Sequence, residues 1–288
     1  MIPIGFSASA LKYLPPLDPV HAFAYTGQEE TITNTNYTKI TAKLWGGAGN
    51  GGWYGGGRWG GGGGYTIIEY PLSPGDLITV MVAQGGPWTG HLTNSPGGWP
   101  DGGAGAYGDA TGGGSGGSSR VFINDVLIAV AGGGGSAAGY SAWGGSGGGL
   151  SGVDSGGGLG RPGTQTAAGY AGPDYAENGF GPITYATRFA RTGGNGGPQG
   201  GSTGGDGGAG GGGYYGGAGG GGDAVAGGGG SGFAHPNAIS ANLATGTGGG
   251  GDPPGMSDPV YPGNGVARGT ASNTNLPGGN GFIHITLS

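Results

Sequence analysis

The chain has 288 residues, of which 87 are glycine, 19 proline and none cysteine, and its net charge is −6. Nine Lys and Arg scattered along that length form no basic patch, which argues against nucleic-acid binding through phosphate neutralisation. The missing cysteine removes disulfide and thiolate-metal frameworks and favours a prokaryotic or viral setting.

Glycine and proline at this level, without a strict period, have disorder as their prior. Only 8 % of the residues are charged and 9 % are aromatic, which a solvated disordered chain would not show. Residues 1–20 are apolar and interrupted by proline, with no strand alternation. They read as an N-terminal attachment arm, and they lack the basic start of a signal peptide. No window approaches eighteen consecutive apolar residues, so no membrane-spanning helix is expected.

Strand patterns then follow closely: HAFAYT (21–26), ETIT (30–33) and KITAKLW (39–45), in which Ile40, Ala42 and Leu44 alternate with polar neighbours. After a glycine tract come YTIIEY (65–70), a Ser-Pro-Gly-Asp turn at 73–76, and LITVMV (77–82). RVFI (120–123) and VLIAVA (126–131) flank Asn124-Asp125, a tight hairpin. No comparable pattern returns until FIHITL (282–287), which must come back to pair with an early strand. Eight strands and no α-helix make residues 21–288 a single all-β domain.

Four glycine tracts, 46–64, 97–117, 132–160 and 193–232, separate these strands. Extended three-residue-per-turn helices can pack side by side where glycine removes the Cβ, each donating and accepting hydrogen bonds laterally. The alternative is turns and loops. Two glycine-poorer stretches, at about 161–192 and 252–277, read as loop insertions, the usual place for surface function.

Catalytic motifs are weak. GxGxxG recurs by chance, and the GxSxG matches at Ser115, Ser146 and Ser202 follow no strand and open no helix. No Lys follows a Gly, so a phosphate-binding loop is excluded. His21, His91, His235 and His284 show no ligand spacing, and Asp206 and Asp223 fit no calcium repeat. No enzyme, cofactor or metal site is expected. Asn36-Tyr37-Thr38 is a lone glycosylation sequon.

Aromatic residues set in glycine are the remaining signal. Trp45, Tyr65, Tyr214 and Tyr215 read as packing residues. Trp53, Trp59, Trp88, Trp99, Tyr140 and Trp143 are the candidate binding residues, because Trp and Tyr on rigid supports stack on sugars and anchor protein contacts.

The order of motifs FAYTG (23–27), KITAKLWGGAG (39–49), PLSPGDLITVMVAQGG (71–86), LIAVAGGGG (127–135) and GGNGFIHITL (278–287) resembles the glycine-rich domains of phage tail-fibre and large-DNA-virus proteins. It is similar in grammar to the extracellular glycine-rich domain of anaplastic-lymphoma-kinase-type receptors. That resemblance implies a jelly-roll-like sandwich joined to a bundle of polyglycine-II helices. It also implies a virion-surface or extracellular protein, a fibre, adhesin or minor capsid decoration. Residues 1–20 would dock on other virion proteins, and loops would meet a host receptor or glycan; oligomeric assembly is compatible with this. The alternative is a secreted polyglycine-helix protein that binds ice or a matrix.

Overall fold

The computed structural model describes residues 18–52, 58–90, 94–106, 113–138, 142–171, 176–197, 206–222, 225–247, 251–272 and 274–288. Most of the arm, and Trp53 and Tyr140 among the candidates, lie outside these.

Ten strands form two antiparallel five-stranded sheets, and no helix occurs among the described residues. In chain order they are β1 (Val20–Ala24), β2 (Glu29–Thr33), β3 (Lys39–Trp45), β4 (Tyr65–Pro71), β5 (Leu77–Met81), β6 (Ser119–Ile123), β7 (Val126–Ala131), β8 (Phe233–Ala234), β9 (Ser240–Ala244) and β10 (Phe282–Leu287). The first sheet runs β1-β10-β3-β4-β9 and the second β2-β5-β6-β7-β8. β1 already includes Val20, and the Pro19 carbonyl accepts the N–H of Leu287, so the sheet claims the last residues of the arm. β10 lies between β1 and β3, the return that its unpaired pattern required. β8 and β9 carry too weak a pattern to read from sequence.

Alternation decides the core. Ile40, Ala42 and Leu44 of β3 and Ile283, Ile285 and Leu287 of β10 point inward, against Ile78, Val80, Val121 and Ile128 of the other sheet. Both turns read from sequence form as their residues demand. Gly75 has φ +92° with the Asp76 N–H on the Ser73 carbonyl, and Asn124 and Asp125 both take positive φ. Asn34, 1 % exposed, fastens two of these turns: its Nδ2 donates to the carbonyls of Tyr37 and Ser73, both at 2.8 Å.

Antiparallel pairing gives the fold a polarity. β1, β3, β5, β7 and β9 all run one way, and β2, β4, β6, β8 and β10 the other. The four glycine-rich excursions, 46–64, 82–118, 132–232 and 245–281, therefore all leave and re-enter at one end of the sandwich. The short turns at 34–38, 73–76, 124–125 and 235–239 occupy the other end, together with the start of β1 and the end of β10.

The excursions bond one another laterally with a period of three. Gly46 and Gly49 donate to the carbonyls of Gly64 and Gly61; Gly47 and Asn50 donate to Gly117 and Gly114; Ala48 donates to Gly279. One tract thus addresses three neighbours in rotation. Gly208 and Gly211 repeat this on Val225 and Gly228, and Gly207 and Gly210 on Gly197 and Gly194. These bonds satisfy backbone groups that no side chain could reach in so crowded a core.

Each insertion covers the outer face of one sheet. Residues 183–189 lie on Met81, Phe122 and Val130 of the second sheet, with Tyr185 edge-on to Phe122 at 5.4 Å. Residues 254–266 cover the seam of the first sheet, where Phe282, Trp45 and Tyr65 stand in register on three adjacent strands. Fully buried Trp45 donates its indole N–H to the Pro254 carbonyl at 3.0 Å.

Beneath that cover, Asp258 accepts from Lys43 and from the Tyr65 hydroxyl, each at 2.8 Å. Burial raises Tyr65, and the bond to Asp258 raises it further. Burial also pushes Asp258 up, but the bonds from Lys43, the Val260 N–H and Tyr65 outweigh it and hold the carboxyl low. His284, on the outward face of β10, is lowered by burial and then by the Lys43 charge, against an opposing pull from Asp258. Glu177 is held low by Arg191.

The folded pKa values of Asp258, His284 and Glu177 lie below their unfolded values, so the unfolded chain takes up protons first at these groups. The His284 contribution should be present above about pH 6.5 and fade as pH falls, with the carboxylates extending the loss below about pH 4. Urea midpoints measured between pH 8 and pH 3 should fall in these two steps. His284→Gln should flatten the upper step and leave the lower one; an unchanged profile would refute the assignment.

Candidate binding site

Trp59 is placed by the tract that returns toward β4. Its backbone forms a bridge with Ala271, and the Gly60 and Gly63 N–H groups donate to the carbonyls of Thr270 and Ala267 at 3.0 and 2.8 Å. The second insertion therefore runs alongside the tract through residues 267–271. Left-handed turns at Asn264, Gly265 and Ala267 fold the insertion back sharply. Asn and Gly adopt this backbone readily; Ala267 does not, and it holds it here fully buried.

Between these segments opens a cavity of about 500 Å³, lined mainly by apolar surface. Trp59, Leu276 and Pro277 supply apolar walls, and Asn264, Arg268 and Asn280 supply polar groups. The size lies within the usual range of small-molecule sites, roughly 300–1,000 Å³. The Arg268 guanidinium lies 5.9 Å from the Trp59 ring centroid and pairs with Asp252 through Nε at 2.7 Å. Asn280 spends its Oδ1 on the Gly85 N–H at 2.9 Å, and its amide nitrogen donates to no described residue.

Trp143 stands on the adjoining tract. The Gly144 N–H donates to the Trp59 carbonyl at 3.0 Å, so the structure brings these two candidates together. Trp143 is 38 % exposed, and the Arg58 guanidinium lies 6.0 Å from its ring centroid. Gly156 packs against the Trp143 ring so closely that a side chain there would overlap it. Both Trp–Arg pairs are open compared with Arg188, which stacks 3.9 Å above Tyr185.

Charge pairing singles out Arg58. Lys39, Lys43, Arg120, Arg161, Arg188, Arg191 and Arg268 each face a carboxylate. Arg58 has no such partner among the described residues. Its backbone exchanges bonds with Ser272, the N–H donating to the hydroxyl and the carbonyl accepting the N–H. That leaves the guanidinium as the unspent group.

Trp99 belongs elsewhere. It packs between Tyr25 at 6.2 Å and Phe189 at 6.3 Å, over the outer face of the second sheet. Its backbone N–H and carbonyl are both bonded to Gln84. Trp88 is half-buried in the segment after β5, apart from the cavity. Among the packing residues, Tyr214 stacks on Phe233 at 4.4 Å and meets Tyr215 edge-on at 5.2 Å.

Sequence reasoning passed over Arg58, Arg268, Asn264 and Asn280. The adjacency of Arg58 and Trp59 inside a glycine tract was the one signal that could have found them. No group of three or more His, Asp or Glu able to hold a metal occurs among the described residues, and no helix there is long and apolar enough to cross a membrane. No protein-family model matches the chain, and no curated protein matches it in sequence.

Proposed function

We propose that this is a virion-surface attachment protein, a fibre, adhesin or capsid decoration, whose glycine excursions form a polyglycine-II bundle on a jelly-roll-like sandwich. The observation that carries the reading is the polarity of the fold. The strand end next to the arm lies at one pole, and all four excursions, with the Trp59 cavity and Trp143, extend from the other. An arm docked on a partner virion protein would then hold the aromatic–arginine face outward toward a host receptor or glycan. The period-three lateral bonding is the pattern that packed three-residue-per-turn helices require. The resemblance of the motif order to that of tail-fibre and large-DNA-virus glycine-rich domains favours the virion setting.

The test separates folding from docking. A chain lacking residues 1–17 is expected to melt like the full chain, since every described strand starts after them, yet to fail to incorporate into particles. Normal incorporation would remove the arm's role, and a fluorescently labelled full chain that stained no host surface would remove the attachment reading.

A further inference from the structure

Resting on that attachment reading, we infer that the Trp59 cavity and the neighbouring Arg58–Trp143 pair form one binding site for an acidic oligosaccharide. Exposed Trp143 and half-buried Trp59 stand on adjacent tracts, each backed by glycine and each with an arginine about 6 Å from its ring, an arrangement that suits the apolar faces of successive pyranose rings. Glycine backing matters physically. The ring rests on backbone that is itself hydrogen-bonded into the bundle, so little side-chain entropy is lost on binding.

The polar groups fit hydroxyl-rich chemistry. Asn264 and Asn280 line the cavity, and their amide nitrogens donate to no described residue, which leaves them for sugar hydroxyls. The acidic requirement comes from Arg58. In a chain of net charge −6, seven of the eight described cations are matched by a carboxylate, and the eighth stands over the more exposed tryptophan of the pair. A planar guanidinium with its donors unspent takes a carboxylate or sulfate in a charge-assisted, two-pronged contact. A neutral sugar would leave that group to water.

The experiment is titration calorimetry of the full chain with a polyuronate oligomer, a sialylated oligosaccharide, a sulfated oligosaccharide, a neutral oligosaccharide and oligoglutamate. At least one acidic sugar is expected to bind at least tenfold tighter than the neutral one, the scale of one charge-assisted hydrogen bond. Arg58→Gln should remove that tenfold preference, while Trp59→Ala should weaken every sugar. The half-buried Arg58 side chain faces no carboxylate among the described residues, so its variant should melt close to the parent and report on binding. The uronate, sialic and sulfate arms identify which acidic group is read.

Equal affinity for neutral and acidic sugars overturns the inference. So does an unchanged preference in Arg58→Gln, or oligoglutamate binding as tightly as the sugars. Binding to host cells that survives enzymatic removal of acidic sugars would overturn this inference and leave attachment standing. Absence of any host-surface binding would overturn attachment itself.

Discussion

Gly217→Ala is expected to destabilise the protein by about 3 kcal/mol, while Gly157→Ala should stay within about 0.5 kcal/mol of the parent. The contrast rests on what surrounds each position. At Gly217 a Cβ would stand against the Gly228 carbonyl, closer than two non-bonded heavy atoms can approach. Neither partner can retreat, because the Gly217 N–H donates to Gly211, its carbonyl accepts from Gly194, and the Gly228 carbonyl accepts from Gly211. Relieving the overlap would stretch several backbone bonds at once, each worth about 1 kcal/mol net. At Gly157, an exposed turn residue, the nearest heavy atom to a new Cβ is 3.8 Å away. There the substitution also restricts the unfolded chain, which offsets small losses. Denaturant titration of the two variants decides it, and equal midpoints would mean that the tracts are not tightly packed.

The second large effect concerns Asp101 and Arg120, a fully buried ion pair above the outer face of the second sheet. Asp101 accepts from the Ser118 N–H at 2.8 Å, the Thr192 hydroxyl at 2.5 Å and the Gly213 N–H at 3.1 Å. Arg120 donates through Nε to the Ser118 hydroxyl at 2.8 Å, and through a second nitrogen to the Arg188 carbonyl. The pair therefore joins a strand, the start of one tract, the end of the first insertion and the middle of another tract.

Burial lowers Arg120 and the Asp101 charge opposes this, so the cation depends on its partner. Asp101→Ala would leave a guanidinium uncompensated in the interior and should cost about 3–5 kcal/mol. Asp101→Leu combined with Arg120→Met should be less damaging than Asp101→Ala alone, because no buried charge remains. A double-mutant cycle on unfolding free energies measures the coupling. A loss below about 1 kcal/mol for Asp101→Ala would show the pair to be solvated.

The strands that build the core were readable because alternation is local. KITAKLW and FIHITL both form with alternate residues buried, whereas LITVM is buried on both faces from Ile78 to Met81. β9 was not readable, since Ser240–Ala244 is an edge strand paired only with β4 and mostly exposed, so no apolar period marks it. β8 has two residues, too few for any period. The insertions at 161–192 and 252–277 read as loops, but nothing local revealed that they seal the outer faces of the sheets. The site was half readable. Trp59 and Trp143 stood out as aromatic residues in glycine, whereas Arg58 became distinctive only once every other described cation had found its carboxylate. Such pairing is invisible along the chain, since Lys43 meets Asp258 across 215 positions.

The rotation of partners around the first tract also fixes when the molecule can finish folding. Gly46 needs Gly64, Gly47 needs Gly117, and Ala48 needs Gly279. A ribosome adding about 5–20 residues per second takes roughly 10 s or more to travel from the first of these positions to the last. For that interval the tract waits as hydrated backbone. Residues 46–52, which make these bonds, hold only Ala48 and Asn50 besides glycine, so they lack the β-branched, low-charge character that makes waiting strands aggregate. Glycine, which lets the finished tracts bond one another so closely, also keeps this waiting stretch free of sticky side chains.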